Sequence, residues 1–159
     1  MQSNDNLFDV CVRGAGIVGR TLALALSRQG LAVALQAPPH DAAREDVRAY
    51  ALNAASVALL DSLKVWEALP ADARTAVFDM RVEGDAAAAV LRFSAWQQQV
   101  RELAWIVDAA ALEAELAAAL RYAPHVTATT DAVSARLLVL AEGRASATRE
   151  RLGVDFETH

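Results

Sequence analysis

One cysteine, three histidines and no surplus of positive charge close off several kinds of chemistry in this 159-residue chain. Cys11 has no partner for an internal disulfide and lies within an apolar run, which marks a buried structural thiol rather than a redox or nucleophilic one. His40, His125 and His159 are scattered, with no carboxylate or cysteine at ligand spacing, so no metal site is expected. No Ser/His/Asp or Cys/His arrangement emerges either, and catalytic residues stay unassigned. The formal charge is −5, and without a basic patch to neutralise phosphates nucleic acid is not an expected partner. Met1 to Asn6 is polar and lacks the cationic start of a signal peptide, and no apolar run approaches the length of a membrane span. The expected compartment is the cytoplasm.

Glycine is also sparse, at seven residues, yet Gly14, Gly16 and Gly19 cluster behind an apolar stretch. Phe8 to Val12 reads as a buried parallel strand that turns through G-x-G-x-x-G into an Ala/Leu-rich helix. Leu22 and Leu26 stand four apart in that helix, Ala23 is small on the packing side, and Gly30 ends it before a second apolar strand, Leu31 to Leu35. A strand–glycine loop–helix–strand unit of this length seats a dinucleotide pyrophosphate. Gly14 permits the tight turn, Gly16 lets the backbone approach the phosphates, and Gly19 lets the helix pack closely on the sheet. Gly14, Ala15, Gly16, Ile17, Val18 and Gly19 are therefore candidate cofactor-binding residues, because the helix start offers free N–H groups and partial positive charge to an anion.

Beyond the second strand, Pro38-Pro39-His40 opens a charged loop through Arg44, Glu45, Asp46 and Arg48. Asn53 is the expected cap of a helix carrying Val57, Leu60 and Leu63 on one face. Val77 to Glu83 and Val90 to Ser94 read as strands joined through Gly84-Asp85, and Trp105-Ile106-Val107 as another. Phe93, Trp96 and the Gln97-Gln98-Gln99 run read as an exposed strand end and loop. Asp108 is the expected cap of a long helix with Leu112, Leu116 and Leu120 at every fourth position, its Glu113 and Glu115 facing water. The stretch from His125 to Arg136 is short, and Leu137 to Leu140 returns as a buried strand. Trp66 and Trp105 are placed for core packing rather than for stacking on a ligand. The pattern is α/β at both ends with antiparallel strands between.

Four blocks in order resemble the FAD-dependent aromatic-ring hydroxylases, in the branch that acts on ubiquinone precursors. They are the glycine loop, Asp46-Val47-Arg48-Ala49-Tyr50-Ala51-Leu52 with Leu63-Lys64-Val65-Trp66, Glu102 to Asp108, and Ala141-Glu142-Gly143-Arg144-Ala145-Ser146-Ala147-Thr148-Arg149. The resemblance implies a Rossmann-like FAD/NAD(P)-binding domain occupying residues 1–159, with antiparallel strands at about 73–108 beginning a substrate-domain sheet. It places Arg48 near the FAD and gives the Glu142-Gly143 turn a part in binding flavin and nicotinamide. In that family NAD(P)H reduces the flavin, and one atom of O2 is transferred to an aromatic ring. The implied substrate is a polyprenylated phenol, with peripheral contact at the inner face of a membrane and other quinone-biosynthesis proteins as partners.

Departures from the family pattern are specific. Ala37 stands where an acid at the end of the second strand usually accepts a ribose hydroxyl, with Gln36 beside it; losing that acceptor costs about 1.5–3 kcal/mol if nothing replaces it. Arg13 leads into the loop where an apolar residue is usual, either reaching cofactor phosphates or snorkelling to solvent. Lys64 replaces a glycine, at a cost of about 1 kcal/mol if its backbone is left-handed. Glu142 replaces an aspartate. Family members also continue to a further G-D-x-x-H-x-x-P motif, so the resemblance implies an N-terminal portion that cannot complete the reaction alone. Two alternatives stay open: a plain NAD-dependent dehydrogenase, and a non-catalytic nucleotide-binding or interaction protein derived from the family.

Overall fold

A computed structural model of the protein describes residues 7–37, 47–85, 89–144 and 146–154. The charged loop from Pro38 to Asp46, the N-terminal hexapeptide, Ala145 and His159 lie outside these residues. In chain order the elements are β1 (Phe8–Arg13), α1 (Ile17–Arg28), β2 (Val33–Gln36), β3 (Ala49–Leu52) and α2 (Ala54–Ser62). A 3-10 turn (Ala71–Ala73), β4 (Arg74–Val77), β5 (Asp79–Glu83), β6 (Val90–Ser94) and α3 (Ala95–Gln98) follow. The chain continues through β7 (Ala104–Asp108), α4 (Ala109–Leu120), β8 (Val126–Thr129), β9 (Ala135–Leu140) and α5 (Ala147–Arg151). It divides into two compact units, 1–44 with 116–159, and 45–115.

The first unit is built on a four-stranded sheet in the order β8-β2-β1-β9. Each neighbouring pair is parallel, with Val10 opposite Val33 and Leu137, and Val33 opposite Val126. The β1 residues Val10, Cys11 and Val12 are all buried, so both faces of this central strand are covered, as the apolar run predicts. Val10, Val12, Val33 and Leu35 pack with Ala23 of α1 as the core of the unit, flanked by Leu22, Leu26, Leu120 and Val139. Each aliphatic side chain fully removed from water there contributes about 1.5–3 kcal/mol. Gly30, at φ +79°, ends α1 as expected, and Leu31 N–H closes the turn on the Leu26 carbonyl at 3.2 Å.

Two expectations for this unit need correction. The strand over Leu137 to Leu140 forms, but Leu137 and Leu138 are exposed. They lie on the edge strand, with no described strand beyond it. The short His125–Arg136 stretch holds a whole strand, β8, which extends the sheet beyond β2. Four residues with only one bulky apolar side chain, Val126, give too little pattern to be read in advance.

The second unit carries antiparallel sheets, β3-β7-β4 and the ribbon β5-β6. The Asn53 side chain caps α2 by accepting from Ser56 N–H at 2.9 Å, and Leu60 and Leu63 are buried. Lys64 then takes φ +61°, so the condition for the cost of replacing glycine is met there. Trp66 and Trp105 meet edge to face at 5.3 Å, and the Arg74 guanidinium lies 4.7 Å over the Trp66 ring, so these tryptophans are packing groups. The strand expected over Val77 to Glu83 is two strands that part at Phe78. Its carbonyl accepts from Ala95 N–H at 2.7 Å, which continues the β5–β6 pairing by one rung, while the Val77 carbonyl accepts from Leu103 N–H on the β7 side. Ala95 to Gln98, read as loop, forms the short α3, with Trp96 exposed. The Asp108 cap is present, accepting from Ala111 N–H at 2.8 Å. Leu112 and Leu116 of α4 are fully buried, while Glu113 and Glu115 are half-buried rather than fully in water.

Candidate functional site

Strand order fixes where a ligand can enter. From β1 the chain crosses through α1 to β2, then extends outward to β8, and only later returns to the other side of β1 as β9. That reversal opens a crevice beyond the carboxyl ends of the strands, beside β1, where doubly wound sheets bind ligands. The glycine loop lies at this point.

The three loop glycines divide their labour. Gly14 has φ +111°, and a Cβ there would collide with the carbonyl oxygen of Ala141 at the end of β9. A Cβ on Gly19 would collide with the carbonyl oxygen of Gly14, so these two residues are required by protein packing. Gly16 is different: a Cβ there meets nothing within 4 Å. It occupies the N-cap of α1 without a side-chain cap, and the first turn contains no acid. Free N–H groups at a helix start, facing open space, suit a phosphate. Ala15, Ile17 and Val18 complete the loop, with Val18 largely exposed. Arg20 Nε donates to the Ala15 carbonyl at 2.6 Å and staples the loop to the helix.

Two clefts flank this loop within the first unit. One, of about 510 Å³, is lined by Arg13, Gly14, Gln36, Glu142, Thr148 and Arg151 among others. The other, of about 700 Å³, is lined by Ala15, Arg20, Arg121, Thr129, Thr130 and Asp131 among others. Ala37 borders both. The structure therefore brings Gly14 to Gly19, Gln36, Ala37, Glu142 and Gly143 to one end of one sheet. Arg48 belongs to the second unit, where its carbonyl accepts from Ala109 N–H at 3.0 Å and its guanidinium lies 5.7 Å over the Tyr50 ring.

Arg13 lines the first of these clefts and makes its bonds within the protein. Its Nε donates to Gln36 Oε1 at 2.9 Å and its Nη1 to Thr148 Oγ1 at 3.3 Å, with Glu142 Oε1 at 3.9 Å. The charge is met inside the protein, across three elements. Glu142 in turn accepts from Ser146 Oγ at 2.6 Å and from Thr148 Oγ1 at 2.8 Å. These hydroxyls, the Ser146 bond foremost, hold the Glu142 carboxyl below the usual glutamate range; partial burial opposes them and Arg13 assists. The Glu142 carboxylate thereby joins the end of β9 to the start of α5. Burial pushes the Cys11 thiol up, against a smaller opposing effect of the Arg13 charge, so this cysteine is structural.

Sequence reasoning missed Arg20, Asp131, Ser146 and Thr148. Ser146 was findable, since its Oγ caps α5 by accepting from Arg149 N–H at 3.1 Å, a local pattern. Asp131 was not, because it follows a strand that the sequence did not reveal. Among the described residues there is no group of side chains that could hold a metal ion.

A parallel sheet with a glycine loop at its point of reversal is the Rossmann-like dinucleotide-binding arrangement. Solved structures share it: a probable FAD-dependent monooxygenase from Pseudomonas aeruginosa, PqsL, superposes with TM-score 0.74 at 20% identity, over 96% of this chain and 47% of that one. No protein-family model matches the chain. Among curated proteins, ubiquinone hydroxylase UbiL of Rhodospirillum rubrum is 28% identical over 98% of this chain and 42% of its own length. The 3-demethoxyubiquinol 3-hydroxylase of Escherichia coli is 41% identical over 40% of this chain and 17% of its own. The chain is thus related to hydroxylases of ubiquinone biosynthesis and has the fold of FAD-dependent monooxygenases. It spans less than half the length of these relatives.

Proposed function

We propose that this chain is the FAD-binding portion of a flavin-dependent monooxygenase that hydroxylates an aromatic ring, similar to the hydroxylases of ubiquinone biosynthesis. The observation that carries this reading is the contrast among the loop glycines. Gly14 and Gly19 are filled in by the protein, whereas Gly16 opens onto space at the start of α1. A pyrophosphate bound there gains backbone N–H donors and the helix dipole. In this reading Gly14 to Gly19 hold the pyrophosphate, and Gln36 and Ala37 border the adenosine side. Glu142 and Gly143 border the flavin side, and the family resemblance is what assigns Arg48 to the FAD. FAD supplies the oxygen chemistry, with NAD(P)H as reductant and O2 as co-substrate, and the chain's own residues bind, orient and exclude water. The substrate we favour is a polyprenylated phenol. The antiparallel strands at about 73–108 would then begin the substrate-facing sheet.

No described helix is long and apolar enough to cross a membrane. We place the protein in the cytoplasm, meeting its substrate at a membrane surface alongside other quinone-biosynthesis proteins.

One observation favours a second reading, a nucleotide-binding protein without catalysis. Ala37 offers no acceptor, and the Gln36 amide is already engaged at both ends, by Arg13 and by the Asp131 carbonyl. The visible spectrum of the purified chain, before and after adding FAD, separates these readings. Flavin bands that stay with the protein through gel filtration support the FAD site, and NADH oxidation is then assayed. A chain that stays colourless and retains no added FAD overturns it.

A further inference from the structure

A ribose at this kind of site presents neighbouring hydroxyls, which an acid at the end of the second strand normally accepts. Ala37 removes that acid here. The turn after β8 lies beside the vacated place. Ala37 N–H donates to the Thr129 carbonyl at 3.2 Å, the Asp131 N–H donates to Thr129 Oγ1 at 3.0 Å, and Gln36 Nε2 donates to the Asp131 carbonyl at 2.7 Å. One of these bonds ties Asp131 directly to Gln36 at the end of β2, the other two tie it there through Thr129, and Asp131 lines the same cleft as Ala37.

We infer that Asp131 replaces the missing acid as the acceptor of the adenosine ribose hydroxyls, with Gln36 as the residue that positions it. This rests on the proposed dinucleotide site and names its specificity determinant. The acid has moved from the tip of β2 to the turn after β8, and Gln36 takes up the bracing role. Arg20 and Arg121 line the same cleft and would draw a phosphate on the ribose. The Asp131 carboxylate opposes them, because a carboxylate next to a ribose 2′-phosphate is repulsive. The site therefore discriminates in favour of an unmodified ribose.

Calorimetric titration of the full 159-residue chain with ADP, 2′-deoxy-ADP and adenosine 2′,5′-bisphosphate tests this. The wild type should bind ADP roughly 10- to 100-fold more tightly than 2′-deoxy-ADP, the range expected for a hydrogen bond to a charged group. Asp131→Asn should lower ADP affinity by a similar factor and bind the two nucleotides almost equally. Ala37→Glu added to Asp131→Asn should restore the preference, and Gln36→Ala should reduce it without abolishing ADP binding. The inference is overturned if Asp131→Asn keeps the wild-type preference, or if the bisphosphate binds more tightly than ADP. If ADP binds with the stated preference but FAD does not, the FAD reading fails and the role of Asp131 stands. If neither binds, both fail.

Discussion

Gly16 and Gly19 lie three residues apart and make opposite demands on a side chain. A methyl group at Gly19 has the Gly14 carbonyl in its place, whereas at Gly16 it has room. Gly19→Ala should therefore lower thermal stability markedly, by an overpacking penalty of about 1–3 kcal/mol or more. Gly16→Ala, at φ −76°, should leave the melting temperature within about two degrees while weakening ADP and FAD binding at least tenfold. Equal loss of stability in the two variants would refute this division of labour. Glu142 supports a pH prediction. Its folded-state carboxyl titrates below the usual range, so its stabilising contribution is complete above the unfolded value of about 4.3 and is lost as pH falls through the lowered folded value. Melting temperatures of the wild type and Glu142→Gln should differ by a constant amount from pH 7 to about pH 5, then converge in more acidic solution. The gap should be small, about 1 kcal/mol or less, because the side chain is partly solvated. The glycines were readable because each type has a steric meaning at fixed spacing. The Arg13–Gln36–Glu142–Thr148 network was not, because its members are brought together only by strand register.

Among the elements, those with a strong local signature were legible: β1, α1 and β2 from an apolar run, a glycine loop and a terminal glycine, and α2 from its asparagine cap. Those that depend on partners were not. β3 follows a charged stretch and is set as a strand by β7, with Tyr50 opposite Val107, and the break between β4 and β5 falls where the pairing partner changes from β7 to β6. The end of α2 offers a test of local conformation. Lys64 holds φ +61°, which costs a residue with a Cβ about 1–2 kcal/mol, and its exposed ion pair with Glu67 at 3.6 Å returns little. Lys64→Gly should stabilise the chain by about 0.5–1 kcal/mol after the added entropy of the unfolded glycine is subtracted. Urea denaturation reads this as a higher midpoint at unchanged slope. A lower midpoint would mean that the lysine contributes more through its side chain than the backbone loses.

For the molecule as a whole, what stays uncovered is as informative as the core. In the β5–β6 ribbon Met80 pairs with Phe93 and Val82 with Leu91, so these four side chains share one face. All four are exposed, Leu91 at 63%. A two-stranded ribbon with one apolar face is marginal by itself, and a contiguous apolar surface of this kind favours association. The isolated chain should therefore bind a hydrophobic dye in its native state and associate as concentration rises. Because these residues contribute little buried area, Leu91→Thr with Phe93→Thr should reduce dye binding and association while the melting temperature holds within a few degrees. Threonine is β-branched, a shape that strands favour, so the ribbon itself is not expected to unravel. Sedimentation velocity across a concentration series measures the association, and a melt of the same samples measures the stability. A large drop in melting temperature would show that the face is part of the unit's own core, and an unchanged sedimentation profile would place the association elsewhere on the surface.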